Sequence, residues 1–237
     1  YLSIDTIDDI EDAPDHMLFR KPYLVKGGCK SMKIFDKESI LDYYLDVLKR
    51  NHFPIEVYDK REDMGSTQII TMEKMPFRHF YDHMKRDKAP YYYMADVHLE
   101  KYGNYIHHMF LYHFRQLFDR KRTSDGTLMF LGKDCKSGCH IHNGYDYILN
   151  QVVGKKIIYL FDYYDNDVQF HDVFSSESNF IVGNFFEMDH SKMKIYKVVL
   201  EEGDSLMIPP WWPHAAQGIG LSSTITKTYP RNDLFFI

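Results

Sequence analysis

The sequence predicts a mostly β protein, a sandwich or barrel flanked by helices. Three observations carry this. The second half is a series of short runs rich in β-branched and aromatic residues, separated by Gly, Asp, Asn and Pro. Aromatic residues are abundant, with 19 Tyr and 17 Phe, and they suit pleated, half-buried surfaces. Helical periodicity is confined to the first half, so helices come first and many short strands follow.

Taken in order, KPYLVKG (21–27) reads as a short strand ending in glycine. FDKESILDYYLDVLKR (35–50) has helical spacing, with Ile40, Tyr44, Leu45 and Leu48 on one face and Asp36 as the N-cap. FPIEVYD (53–59) and QIITM (68–72) read as strands. Pro76 opens a short helix in PFRHFYDHMKR, because proline suits a first helical turn. GNYIHHMFLYHFRQLFD (103–119) has amphipathic helical spacing. The strand series is TLMFLG (127–132), YDYILNQVV (145–153), KIIYLFD (156–162), KIYKVVL (194–200), DSLMIP (204–209) and STITKTY (222–229). Residues 163–193 form a less regular insert. No linker composition divides the chain, so residues 1–237 are expected to form a single domain, a mixed α/β flank over 1–120 and a barrel core over 121–232.

Composition excludes some functions. The net charge is −5, which gives no global attraction to nucleic-acid backbones. Lys85-Arg86 and Arg120-Lys121-Arg122 read as solvated charge runs. Three cysteines, Cys29, Cys135 and Cys139, are too few for a disulfide framework and fit a reducing, intracellular compartment, cytoplasmic or nuclear. No apolar run reaches the roughly 20 residues of a membrane span, so no membrane partner is expected. The acidic opening YLSIDTIDDIEDAPDH has no basic-then-apolar signal pattern.

Two stretches carry chemistry. In CHIHNGYDYILNQVVGKK, His140 and His142 stand two apart, and on an extended backbone both point to one face and can share an ion. With 13 histidines in the chain, such a pair alone is weak evidence. In EEGDSLMIPPWWPHAAQGIG (201–220), a tight turn, a short apolar strand and a proline-stiffened corner deliver His214. Read structurally, that is a corner with two core tryptophans. Read with the earlier pair, it brings a third ligand from a distant strand. Cys135-x3-Cys139-His140 lacks the second pair that a zinc finger needs.

These residues resemble the JmjC-type (cupin-8-like) family of Fe(II)- and 2-oxoglutarate-dependent oxygenases. GDSLMIPPWWPH (203–214) is similar to the family's distal metal motif, and His140 to the first histidine of its His-x-Asp/Glu motif. KPYLVKG resembles its entry strand and YYYMADVHL (91–99) a segment before its barrel, so the likeness covers residues 20–230. The resemblance implies a double-stranded β-helix, the jelly-roll or cupin barrel. It implies a metal site of His140, His142 and His214 and a 2-oxoglutarate pocket of Lys156, Ser137, Asn150 and Thr226. The resemblance nominates Lys156, since the family places a lysine two residues after a glycine on this strand; adjacent strand residues face opposite ways, so only one of Lys155 and Lys156 can point inward. The hydroxyls of Ser222, Thr224, Thr226 and Thr228 share one face by the same parity.

The departure is His142, which stands where the family has a carboxylate. Neutral imidazole there makes the site one unit more positive and suits zinc or another divalent metal as well as iron. Asp146 supplies a carboxylate only if its strand bulges. The implied function is hydroxylation of a substrate C–H bond, with decarboxylation of 2-oxoglutarate to succinate. The alternative is a catalytically altered metal-binding cupin domain with a recognition or assembly role. The substrate class (protein, nucleic-acid base or small molecule) is open. The insert is expected to shape the entrance, with Phe170, His171, Phe174 and Phe185 as candidate lining. Relatives often pair through terminal helices, and the apolar end DLFFI needs covering, so a homodimer is an open alternative.

Overall fold

The structure is a computed structural model that describes residues 1–8, 20–66, 71–102, 126–166, 168–172, 174 and 178–230. The helix expected over 103–119, the basic run 120–122 and the end DLFFI lie outside the described residues. The strands are β1 (Asp5–Ile7), β2 (Tyr23–Val25), β3 (His52–Tyr58), β4 (Thr71–Pro76), β5 (Tyr91–His98) and β6 (Gly126–Lys133). Then follow β7 (Lys136–His140), β8 (Tyr145–Leu160), β9 (Tyr196–Leu200), β10 (Ser205–Ile208) and β11 (His214–Pro230). Among the described residues two α-helices accompany them, α1 (Ile40–Leu48) and α2 (Phe77–Met84).

One hydrogen-bonded path runs β1-β2-β10-β8-β11-β6-β5-β3-β4, with β7 added to β11 and β9 to β8. The strands β8 and β11 are long, antiparallel and paired along their whole lengths, from His214 opposite Leu160 to Pro230 opposite Tyr145. Each serves two sheets. The first half of β8 pairs with β10 and its second half with β9. The first half of β11 pairs with β7 and its second half with β6. The result is a large sheet and a small one joined by two shared strands, a jelly-roll barrel as expected. Between them pack Leu149, Ile158, Leu160, Val198, Leu206, Ile208 and Trp212. The helices cover the other face of the large sheet, where Tyr44, Leu48, Phe77 and Phe80 meet Ile148, Val152 and Ile225. The insert covers the small sheet through Ile181 and Phe185 against Phe161 and Tyr159.

Residues 145–153 and 156–162, read as two strands in sequence, are one bent strand. The bend falls at Gly154, whose φ of +66° is in the left-handed region. A Cβ there would be driven into the Leu221 carbonyl oxygen, so only glycine serves. Opposite it, the register of β11 slips between Ile219 and Ser223. The strand β4 begins at Thr71, and residues 68–70 of the expected strand lie outside the described residues.

The helix cap also differs from the sequence expectation. Asp36 ends a short 3-10 turn, and Ser39 caps α1 instead, its hydroxyl accepting from the Asp42 amide at 3.3 Å. The expected apolar face is real, with Tyr44 and Leu48 buried. Pro76 stands at the N-cap of α2, where its missing amide costs nothing. The turn before β10 is clasped by Asp204. Its carboxylate accepts from the Gly27 amide at 3.0 Å, Lys26 Nζ at 2.8 Å and the Glu201 amide at 3.0 Å, tying β10 to β2.

Gly154→Ala combines a left-handed backbone with a steric clash, so it is expected to destabilise the fold by roughly 2 kcal/mol or more. Denaturant unfolding checks this, and an unchanged midpoint would show that the bend does not need glycine.

Candidate metal centre

Three imidazoles converge where the small sheet begins. Register explains two of them: His140, the last residue of β7, lies directly opposite His214, the first residue of β11. His142 follows two residues beyond the end of β7, and its ring stacks on Tyr147 with centroids 3.5 Å apart. One ligand nitrogen from each histidine lies within 4.8 Å of the others. The Nε2 atoms of His140 and His142 are 3.1 Å apart.

The backbone fixes the tautomers. His140 Nδ1 donates to the Gly138 carbonyl at 2.8 Å, and His214 Nδ1 donates to the Trp212 carbonyl at 3.0 Å. Each Nε2 lone pair is thereby left to face the shared point. Burial lowers the pKa of His140. Burial, and then the neighbouring His140 and His214, hold His142 well below the usual histidine range. Burial, and then His140, hold His214 down at about 3. Three neutral, preoriented imidazoles with an open side suit a divalent ion.

The corner before His214 explains its placement. Trp211 adopts φ +66°, and its amide donates to the His142 carbonyl at 3.3 Å. Trp212 is buried, its indole donating to the Arg20 carbonyl, whereas Trp211 is 37% exposed, so only one of the tryptophans is a core residue. The cysteines take no part. Cys139 packs with Phe161 and Phe185, and Cys135 with Tyr58 and Tyr93. Asp146 is fully buried in unbroken register opposite Tyr229, with no bulge to bring it to the centre.

An inner chamber of about 30 Å³ leads from the histidines into the barrel, lined by Asp96, Phe130, Ser137, Tyr147, Leu149, Lys156, Thr224 and Thr226 among others. Lys156 is only 5% exposed, and burial lowers its pKa to about 8. Its ammonium lies over the Phe130 ring, and no carboxylate among the described residues pairs with it. Lys155, by contrast, is exposed and paired with Glu201 at 2.8 Å. Ser137 shares a 2.8 Å hydrogen bond with the Tyr93 hydroxyl. A larger chamber of about 400 Å³ opens on the other side of His140 and His142, walled by Glu56, Tyr58, Tyr93, Phe180 and Asn179. Burial raises the pKa of Glu56 to about 7 despite its hydrogen bond from Tyr58.

The structure therefore brings together His140, His142, His214, Lys156, Ser137 and Thr226. It does not bring Asn150. Even-numbered residues of β8 before Gly154 face the helices, and the Asn150 amide is used by the carbonyls of Ile148 and Ile225 and by the Ser205 hydroxyl. The interior amide is that of Gln151, bonded to Ser222 and Thr224. Of the insert residues expected at the entrance, Phe185 is core and Phe174 is 95% exposed. Asn179 and Phe180 line the larger chamber instead, Phe180 through a bridge to His140. Strand parity could have flagged Tyr147 and Leu149; nothing local marked Glu56, Asp96 or Phe180.

A family model described as a cupin-like domain matches residues 11–229. Among solved structures, the X-ray structure of E. coli ycfD is similar with a TM-score of 0.57 and 15% identity, over 90% of this chain and 50% of that one. At that identity the likeness speaks for the fold, and the present chain spans half of that protein's length. No curated protein matches.

The geometry predicts one divalent ion per chain. His140→Ala and His214→Ala are each expected to weaken Co(II) or Zn(II) binding by about 100-fold or more, read by chelator competition. Binding that survives both changes would place the ion elsewhere.

Proposed function

Because the chain belongs to the cupin-like domain family, we propose that it is a metal-dependent oxygenase, a hydroxylase using Fe(II) and 2-oxoglutarate at a three-histidine centre. The observation that carries this reading is Lys156, a buried cation with no acidic partner among the described residues, aimed into the chamber behind the histidines. A buried ammonium without a counter-ion is costly, and a carboxylate ligand removes that cost.

Bound there, iron and 2-oxoglutarate would supply oxygen activation coupled to decarboxylation of the cosubstrate to succinate. The chain's own residues do the rest. His140, His142 and His214 hold the ion through Nε2. Lys156 binds the far carboxylate of the cosubstrate, with the Thr226 hydroxyl beside it and Ser137 at the chamber wall. Phe130, Tyr147 and Leu149 exclude water from the space between. The larger chamber receives the substrate, a protein, a nucleic-acid base or a small molecule. Three free, buried cysteines suit a reducing compartment, cytoplasmic or nuclear. Among the described residues no helix is long and apolar enough to cross a membrane.

A second reading is favoured by one observation. The inner chamber, at about 30 Å³, has room for only a few waters, so a five-carbon dicarboxylate enters only if side chains such as Tyr147 or Leu149 give way. If they do not, the chain is an altered metal-binding cupin, zinc-loaded and used in recognition or assembly.

Purified protein with Fe(II), ascorbate and 2-oxoglutarate in air is expected to form succinate, and His214→Ala and Lys156→Ala are expected to abolish it. Absence of both succinate and metal-dependent 2-oxoglutarate binding by calorimetry would decide for the second reading. The pH dependence is a separate check. Lys156 is charged below about pH 8 and neutral above it. Affinity for 2-oxoglutarate should therefore fall as pH rises through 8, by up to about tenfold per unit, and Lys156→Ala should flatten the profile.

A further inference from the structure

Three neutral imidazoles leave the full charge of a divalent ion uncompensated, where a ligand carboxylate would remove one unit. Among the described residues lining the inner chamber, Asp96 is the one acidic side chain. It lines the larger chamber too and is open to solvent, so it stands at the rim that the two chambers share and that His140 and His142 also line. Its oxygens are not part of the close histidine cluster, so it is not a ligand there.

The backbone is shaped to present it. In β5 the register with β6 skips from Met94 to Val97, a bulge that contains Asp96. Asp96 takes φ +52°, a left-handed conformation that few side chains tolerate and that aspartate and asparagine adopt most readily. No hydrogen bond or ion pair engages its carboxylate among the described residues.

We propose that Asp96 is a positioning residue that supplies, from outside the coordination shell, the negative charge that His142 does not. It rests on the metal-binding reading above. In this role it strengthens the hold of the three imidazoles on a divalent cation and weakens the attraction of the open positions for stray anions.

The test uses the full chain loaded with Co(II), whose visible absorption reports its ligands, with azide as the anion probe. Asp96→Asn keeps the left-handed preference and removes the charge; Asp96→Gly removes the charge and relaxes the backbone. Both variants are expected to bind Co(II) about 3- to 10-fold more weakly and azide more tightly by a similar factor, with added salt shrinking both differences. The opposite signs separate charge from structure, since a merely structural change loosens both together. Metal and azide affinities within about 2-fold of the wild type, or both weakened, would overturn the role of Asp96 while leaving the metal centre standing. Wild-type protein that holds no Co(II), or holds it equally well as His214→Ala, would overturn the centre itself and this inference with it.

Discussion

The pairing of β8 with β11 is the constraint on which the rest of the structure depends. These two strands are neighbours along their entire lengths, and both turn from one sheet into the other at the same level. The barrel closes because the bend at Gly154 and the slipped register after Ile219 coincide. The metal centre follows from the same pairing. With β11 fixed against β8, its first residue is fixed too, and β7 can only add to the free edge of β11 in the register that sets His140 against His214. Residues 74 apart in sequence thus become cross-strand neighbours by a chain of backbone hydrogen bonds, before any ion contributes.

Much of this was legible in the sequence because it is local. The strand runs, the apolar face of α1 and the hydroxyl face of β11 follow from periods of two or of 3.6 residues, which also let only one of Lys155 and Lys156 point inward; the resemblance chose Lys156. Where the reading failed, a longer-range fact decided. Residues 145–162 look like two strands because Gly154 interrupts them, yet β11 bridges the interruption. Asp36 and Ser39 are both fair caps, and the preceding 3-10 turn takes Asp36. Asn150 matched by resemblance, but its parity, opposite to that of Leu149, sends it towards the helices; Gln151 holds the interior. Glu56, Asp96 and Phe180 were invisible because nothing near them in sequence says which cavity they will wall.

The chemistry of the centre is set by what burial does to charge. The histidines stay neutral because the interior penalises their protonation, and neutral imidazole is the ligating form. The same penalty bears on Lys156, which remains a cation only weakly and so is ready for an anion. Burial thus leaves the imidazoles as ligands and Lys156 as a partner for an anion, while the charge balance that most such centres find in a ligand carboxylate must come from elsewhere in the wall or from what binds.

The corner that presents His214 has an optical consequence. The chain has two tryptophans, and they are adjacent. Trp212 is sealed in the barrel, whereas Trp211 is partly open to solvent and holds the carbonyl of His142 through its amide. Its indole is therefore a built-in fluorophore one hydrogen bond from a metal-facing residue. A paramagnetic ion in the centre quenches such emission and a closed-shell ion such as Zn(II) does not, so the intrinsic fluorescence of the unlabelled protein separates a paramagnetic occupant from a closed-shell one.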